Sequence, residues 1–427
     1  MNQAEESVPN IYEHRPILLL ANSSWYLQHY RSHLISSLKQ LRFSVLALCP
    51  YDSSSAFLST LLTHIPWRIK RSNDLSLISL FASTLKLSIF IRAIKPKILH
   101  SHTLKVNLIT AFVSSIYGIP TVISFAGMGK LSKKKFIYRL IFICILKLIN
   151  FFSNRQRNTR WSWQLSRNRT YFIFQNPKDM NLYKAIISSP INNSKIIHGS
   201  GVPDRYLEHG FNSNLWMKQK ESEKEIPTCT FIYCGRLLQS KGIGIFLSLS
   251  EILPEHEFEV YGGIDPSSKD SLSSNEIQLL SKKHKNLNFH GETIDPLLNC
   301  NFDFPILVLP SSYGEGFPRS IVEAFSVGIP VICSQSASCD VFTKENIYLP
   351  LNNTPISYKD SFKELIHQYQ EGSITNKIKT CFELTKETFS ERKITLETIE
   401  IYKQLLENKS SYLLSKDTES LKNWLSQ

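Results

Sequence analysis

Apolar residues along this chain gather into short unbroken runs, separated by longer stretches whose apolar positions recur every three to four residues. The runs at 17–21 (ILLLA), 44–49 (SVLALC), 98–100, 121–124 (TVIS), 171–175 (YFIFQ) and 195–198 read as buried strands, with helices between them. A polar, charge-rich stretch at 218–225 breaks the pattern. It then restarts with strands at 230–233 (TFIY), 258–261 (FEVY), 287–290, 306–309 and 331–334. Continuous apolar strands alternating with helices imply parallel sheets covered on both faces. The expected fold is therefore α/β: two doubly wound parallel-sheet domains facing each other across a cleft, with ligands at the carboxyl ends of the strands. The expected divisions are 1–208, 209–400 and a helical tail, 401–427, that could return to the first domain.

Charge sharpens this division. Residues 1–200 hold 26 Lys/Arg against 6 Asp/Glu, whereas 201–427 hold 23 against 30. One half is built to meet something anionic, and the other is not. The basic residues concentrate at 130–169, which carries eleven Lys/Arg and no acid around an apolar run from 136 to 152. Arg139 and Lys147 interrupt that run, leaving seven uncharged residues, 140–146. A bilayer span needs about 20. The segment reads either as an amphipathic helix lying in a membrane surface or as a core-packed helix with a basic outer face. Lys133, Lys134, Lys135, Arg155, Arg157 and Arg160 would supply the contact with an anionic leaflet. Nucleic acid is the competing anionic partner, but no RNA- or DNA-binding motif accompanies the charge.

The eight cysteines form no CxxC pair and mostly sit in apolar runs, as small buried hydrophobes of a reducing compartment do. The first ten residues lack the basic and apolar regions of a signal peptide. A cytoplasmic protein, peripheral on the inner face of the cell membrane, is the expectation.

The chemistry concentrates at 311–323. Two carboxylates, Glu315 and Glu323, lie eight residues apart across a junction between the apolar strand 304–310 and a helix. Glu315 sits between Gly314 and Gly316, Pro318 suits the first helical turn, and Gly328 and Pro330 close a helix of about ten residues. A helix start offers unpaired N–H groups and a positive dipole end to an anion. A nucleotide-sugar has matching polarity: hydroxyls, diphosphate, then ribose hydroxyls. The strand at 230–233 leads to Gly235, followed by Arg236 and Lys241, five residues apart. Their charges can clamp a diphosphate and stabilise it as a leaving group.

GRLLQSKG at 235–242, followed about 75 residues on by EGFPRSIVEA at 315–324, resembles the donor half of glycosyltransferase family 4, whose fold is GT-B. The resemblance implies that Arg236 and Lys241 bind the donor diphosphate, Glu315 contacts the transferred sugar and Glu323 the ribose hydroxyls. It also implies that amides near Gly316, Phe317 and Arg319 add to phosphate binding. Gly262, Gly263 and His290 fall in strand-end loops where that family lodges its nucleotide. In the first half, Trp25 with Tyr30-Arg31, the series His102-Thr103-Leu104-Lys105, Phe125-Ala126-Gly127, Gln175-Asn176-Pro177-Lys178-Asp179 and Gly199-Ser200-Gly201 resemble the branch that extends polyprenyl-diphosphate-linked sugars, including N-acetylgalactosaminyltransferases. Trp25, His102, Thr103, Lys105 and Gly127 would then face the acceptor.

His100 and His102 could suggest a metal, but no third ligand at sensible spacing joins them. No Asp-x-Asp occurs either, so neither a metal nor another cofactor is called for. The family implies retaining transfer of a hexose or N-acetylhexosamine from a nucleotide diphosphate-sugar, UDP-linked by preference, to a polyprenyl-diphosphate-linked acceptor. The alternatives are an epimerase or phosphorylase on the same fold, or a basic membrane- or nucleic-acid-binding protein without catalysis.

Overall fold

The computed structural model describes residues 15–69, 77–128, 136–154, 170–189, 191, 193–210, 227–266, 268–312 and 314–407. The polar stretch at 218–225, the cations Lys133, Lys134, Lys135, Arg155, Arg157 and Arg160, and the tail beyond 407 lie outside the described residues.

Among the described residues the N-terminal sheet has seven strands: β1 (Ile17–Leu20), β2 (Val45–Cys49), β3 (Thr63–Pro66), β4 (Ile98–His102), β5 (Thr121–Phe125), β6 (Thr170–Phe174) and β7 (Ser194–Ile196). Their order is β3-β2-β1-β4-β5-β6-β7, and every pairing is parallel. Only β3 was not foreseen. It is an edge strand in which His64 alone is buried, so it leaves no apolar run to read. Between and after the strands lie α1 (Ser24–Gln40), α2 (Ser55–Leu61), α3 (Leu77–Ile94), α4 (Leu104–Tyr117), α5 (Phe136–Asn154), α6 (Pro177–Ile187) and α7 (Asp204–His209).

The C-terminal sheet is β8 (Thr230–Cys234), β9 (Glu257–Tyr261), β10 (Leu287–Gly291), β11 (Pro305–Leu309) and β12 (Val331–Cys333), in the order β10-β9-β8-β11-β12 and again parallel. Its helices are α8 (Ile243–Ile252), α9 (Ser274–Lys283), α10 (Arg319–Ser326), α11 (Pro355–Gln370) and α12 (Ile374–Thr388), and α13 (Glu391–Glu407) ends the described chain. In both sheets the strand order reverses next to the first strand of the sheet. That places a crevice between β1 and β4 in one domain and between β8 and β11 in the other.

Alternation along the strands decides which helices cover which face. Ile17, Leu19, Val45 and Ala47 point toward α1, and Leu18, Leu20, Leu46 and Leu48 toward α3 and α4. Ile123 and Phe125 pack with α5 and α6. The chain changes domain earlier than the divisions at 208 and 400 imply. Val202 and Tyr206 already belong to the C-terminal core. Ile394 and Ile399 of α13 already belong to the N-terminal one, followed by Ile401 and Tyr402. The two crossings meet: the Val202 N–H donates to Phe389 O at 2.8 Å and the Glu391 N–H to Val202 O at 2.9 Å. A Cβ on Gly201 would lie 2.5 Å from the Glu391 backbone, so only glycine allows that approach.

Candidate active site

The donor-side residues come together in the crevice between β8 and β11. Gly235 follows β8 directly. A short 3₁₀ turn, Gln239–Lys241, then brings Lys241 beneath the loop that leaves β11. There the Lys241 ammonium pairs with Glu315 Oε1, and Ser311 Oγ donates to the same oxygen at 2.9 Å. Both side chains are largely buried, at 18% and 13% exposure. The Cys339 thiol donates to the Glu315 carbonyl at 3.2 Å and fixes the loop from behind. This turn depends on Gly242, at φ +85°, whose missing Cβ would strike the Pro310 carbonyl carbon at 2.5 Å.

Pro318 caps α10 without a side-chain hydrogen bond, and the helix is eight residues long, somewhat shorter than expected. Arg319 and Glu323 form an i,i+4 ion pair at 2.6 Å. Burial raises the Glu323 pKa, and the Arg319 charge opposes that rise. Arg319 also reaches across the cleft, its Nη1 donating to His29 O at 2.8 Å.

Other expected donor contacts are arranged differently. Arg236 is half-exposed and pairs with Asp265, Nη1 to Oδ2 at 2.7 Å. For Phe317 the expectation concerned its backbone amide, and its side chain is engaged elsewhere. It plugs an aromatic cluster with His198, Phe342 and Phe389, at centroid distances of 5.2–5.5 Å. Gly262 is required because a Cβ there would collide with the Gly235 carbonyl, while the Gly263 carbonyl accepts the Leu237 N–H at 3.1 Å. His290 pairs with the buried Glu259 and stacks on Tyr261 at 4.5 Å, forming a rigid rim at the end of β9 and β10.

Of the residues expected on the acceptor side, Trp25 follows β1 at the start of α1, and His102, Thr103 and Lys105 stand at the end of β4 and the start of α4. Asp52 accepts N–H bonds from Ser24 at 2.9 Å and Trp25 at 3.2 Å, and it also accepts the Ser24 hydroxyl. The start of α1 is thus already supplied with its anion. Burial pulls the Asp52 pKa up, but these hydrogen bonds outweigh it and the net shift is downward. Trp25 stacks on His29 at the rim, and Lys105 is half-buried in the first turn of α4. His100 is bonded at both nitrogens, to Tyr402 Oη at 2.5 Å and Ser124 Oγ at 2.7 Å. His102 is fully buried, and neither of its nitrogens has a partner. Burial, with His100 and Arg31 nearby, drives its pKa well below the usual range and keeps it neutral. Thr103 follows it at φ +74° with its hydroxyl buried and without a partner.

Gly127, expected on the acceptor side, stands at the joint between the domains. It meets the donor loop directly: a Cβ on Gly127 would come 2.9 Å from Gly316 N, and one on Gly316 would come 2.7 Å from Gly127 N. Asn176 Nδ2 closes the same joint by donating to Gly316 O at 2.5 Å. Asn176 caps α6, its Oδ1 accepting the Asp179 N–H at 2.7 Å, and Asp179 Oδ2 accepts the Met128 N–H at 3.1 Å. The Asn-Pro-Lys-Asp series stood out in the sequence only through its resemblance to the family branch, and nothing there revealed that it clasps the other domain. Tyr30, named in the sequence only beside Trp25 and Arg31, also comes close to the donor-side charges. Its phenol lies in the field of Arg319, Glu323 and Glu315, and burial pushes its pKa up to about 12.

Burial raises the Asp179 pKa to about 6, against the opposing hydrogen bonds from Met128 and Asn176. This value stands above that of an unfolded carboxyl, so the native state holds the proton more tightly. The cost is present above pH 6 and is relieved as pH falls through about 6 toward about 4. The native chain is expected to gain up to about 3 kcal/mol of stability over that fall, and Asp179→Asn should lack the gain. Thermal denaturation of both across this range is the measurement, and identical pH dependence in the two would show that Asp179 is not the group responsible.

Residues 228–368 match the family model described as "Glycosyl transferases group 1", and residues 16–153 match "Glycosyl transferase 4-like". No curated protein matches the chain. Among solved structures, sucrose-phosphate synthase from Thermosynechococcus elongatus is similar at a TM-score of 0.67 and 15% identity, over 92% of this chain and 100% of that one. HepE from Anabaena in complex with UDP-glucose gives 0.67 and 14%, over 91% and 99%. WaaG, a glycosyltransferase involved in lipopolysaccharide biosynthesis, gives 0.62 and 14%, over 90% and 99%. With one glycosyltransferase model matched in each of two domains of this fold, the chain belongs to the GT-B glycosyltransferases of the group 1 and family 4 kind.

Proposed function

We propose that this enzyme transfers a hexose or N-acetylhexosamine, with retention, from a UDP-sugar to a polyprenyl-diphosphate-linked sugar, working peripherally at the inner membrane face in surface-glycan assembly. The observation that carries the reading is the Lys241–Glu315 pair in the β8/β11 crevice, facing the joint formed by Gly127 and Asn176. A buried ammonium beside a sugar-facing carboxylate suits a departing diphosphate and an anomeric carbon held next to it. Both site carboxylates are bound by cations, Glu315 by Lys241 and Glu323 by Arg319, which leaves neither poised as a nucleophile. That favours front-face transfer: the acceptor oxygen bonds to C1 as the C1–diphosphate bond breaks, and its proton passes to a departing phosphate oxygen. Lys241, with Arg236 at the rim, supplies the positive field, so the reading needs no divalent cation.

The donor preference is supported by HepE, a protein of similar fold, which is seen with UDP and UDP-glucose. A lipid-linked acceptor is supported by α5, nineteen residues with mean hydropathy 1.9 over its most apolar window, only 22% of that window buried. The test is release of nucleoside diphosphate from a panel of UDP- and GDP-sugars, with a defined polyprenyl-diphosphate-sugar and with EDTA present. UDP release that requires the lipid acceptor and persists in EDTA is expected. Release independent of acceptor, or only from GDP-sugars, would sink the reading as stated, and full loss in EDTA restored by magnesium would remove its metal-free part.

A further inference from the structure

α3, α4 and α5 lie side by side on the face of the N-terminal sheet opposite α1 and α13. Their inner sides are well anchored: Leu87, Ile91, Val106 and Ile109 fill one core, and Phe142 and Leu146 another. Helices anchored in this way normally turn polar residues outward. These do not. α3 presents Ile78, Phe81, Leu85 and Ile89 to solvent at 51–83% exposure, spaced three and four apart along one side. Phe112 and Ile116 of α4 continue the surface, and α5 adds Phe136, Ile137, Leu140 and Phe151 among others.

Charge is equally one-sided. Residues 75–178 hold seventeen Lys/Arg and not one Asp or Glu, where the chain's average acid content would place about nine. On the outer layer itself the exposed ions are Lys86, Arg92, Arg139 and Lys147. An apolar surface spread over three neighbouring helices is more than a soluble monomer ordinarily leaves bare. Cations set into it, with no acid, match an anionic leaflet. The apolar side chains enter the boundary between headgroups and acyl chains, and the lysines and arginines extend to the phosphates.

We propose that α3, α4 and α5 form one membrane-docking plane, with α3 a second anchor beside α5. The occupant is an anionic phospholipid bilayer. This deepens the membrane side of the reading above and rests on it, though not on which sugar is transferred. The orientation has a consequence for catalysis. In a parallel βα layer each helix begins near the carboxyl edge of the sheet, which is the cleft edge. The plane therefore reaches the mouth of the cleft, and an acceptor whose tail stays in the leaflet presents its sugar there.

The test is flotation of the full chain with vesicles of phosphatidylcholine, with and without phosphatidylglycerol, alongside the triple variant Phe81→Ser, Leu85→Gln, Ile89→Gln. The three positions are exposed, so thermal stability and turnover on a short soluble acceptor should stay as in the native chain. Binding of the variant to phosphatidylglycerol vesicles should weaken at least about tenfold. Binding within about twofold of native would remove α3 from the plane and leave docking to α5. Failure of the native chain to bind either vesicle would sink both the plane and the membrane reading. A lipid-free dimer that the triple variant dissolves would assign the face to a second copy of the chain instead.

Discussion

Removing the Glu315 carboxylate or the Lys241 ammonium is expected to lower kcat by roughly 10²–10³. Each group stands where charge or sugar geometry changes between ground and transition states, so its loss should appear in kcat and kcat/KM together. Glu315→Ala leaves a largely buried ammonium without its carboxylate, so thermal stability is to be measured beside turnover. Lys241→Ala likewise leaves a largely buried carboxylate, with the Ser311 hydroxyl 2.9 Å away. Lys241→Gln separates the two effects. It can still donate to Glu315 but brings no charge to a diphosphate. If Lys241→Gln keeps near-native turnover, the ammonium does not stabilise the leaving group. Glu323→Gln is the internal contrast. A contact to ribose is alike in ground and transition states, so that variant should raise the donor KM with a much smaller effect on kcat.

The architecture was legible because parallel sheets write themselves as apolar runs. Eleven of the twelve strands among the described residues fall on those runs, and β3 escaped because an edge strand of four residues buries too little to leave one. The pairing of Lys241 with Glu315 was also within reach, since a strand-end glycine, a turn and a strand-to-helix loop each have local signatures. What the sequence hid was the direction taken by long side chains. Arg236 follows β8 as expected, yet Asp265, a loop residue 29 positions away, holds it at the rim. Phe317 precedes the donor helix, yet His198 from the linker region and Phe389 from the crossing draw it into a plug. Such choices depend on neighbours brought together by tertiary packing, which no periodicity reports. The apolar outer stripe of α3 escaped for a different reason. A helix apolar on both faces reads as buried until its neighbours show that one face has none.

Gly316→Ala is expected to reduce turnover by roughly 10²-fold without unfolding either domain, because it acts on the joint that brings the two crevices together. The new Cβ would strike the Gln175 amide oxygen, come 2.7 Å from Gly127 N and 3.0 Å from the Ala126 carbonyl carbon. Gln175 can turn aside, but the backbone of 126–127 cannot move freely. Asp179 holds Met128 next to it, and β5 fixes the chain before it. The strain is therefore relieved most easily by the domains separating slightly, which would also stretch the Asn176–Gly316 hydrogen bond. Donor binding should survive, since Lys241, Glu315, Arg319 and Glu323 all lie on the C-terminal side. A KM for donor near the native value, a large fall in kcat and a small rise in radius of gyration by solution scattering form the expected set. Asn176→Ala should fall the same way but less far, because it removes one hydrogen bond and adds no clash. Native turnover in Gly316→Ala would mean that the contact between Gly127 and Gly316 is incidental to catalysis. Transfer would then proceed with the cleft more open than it stands here.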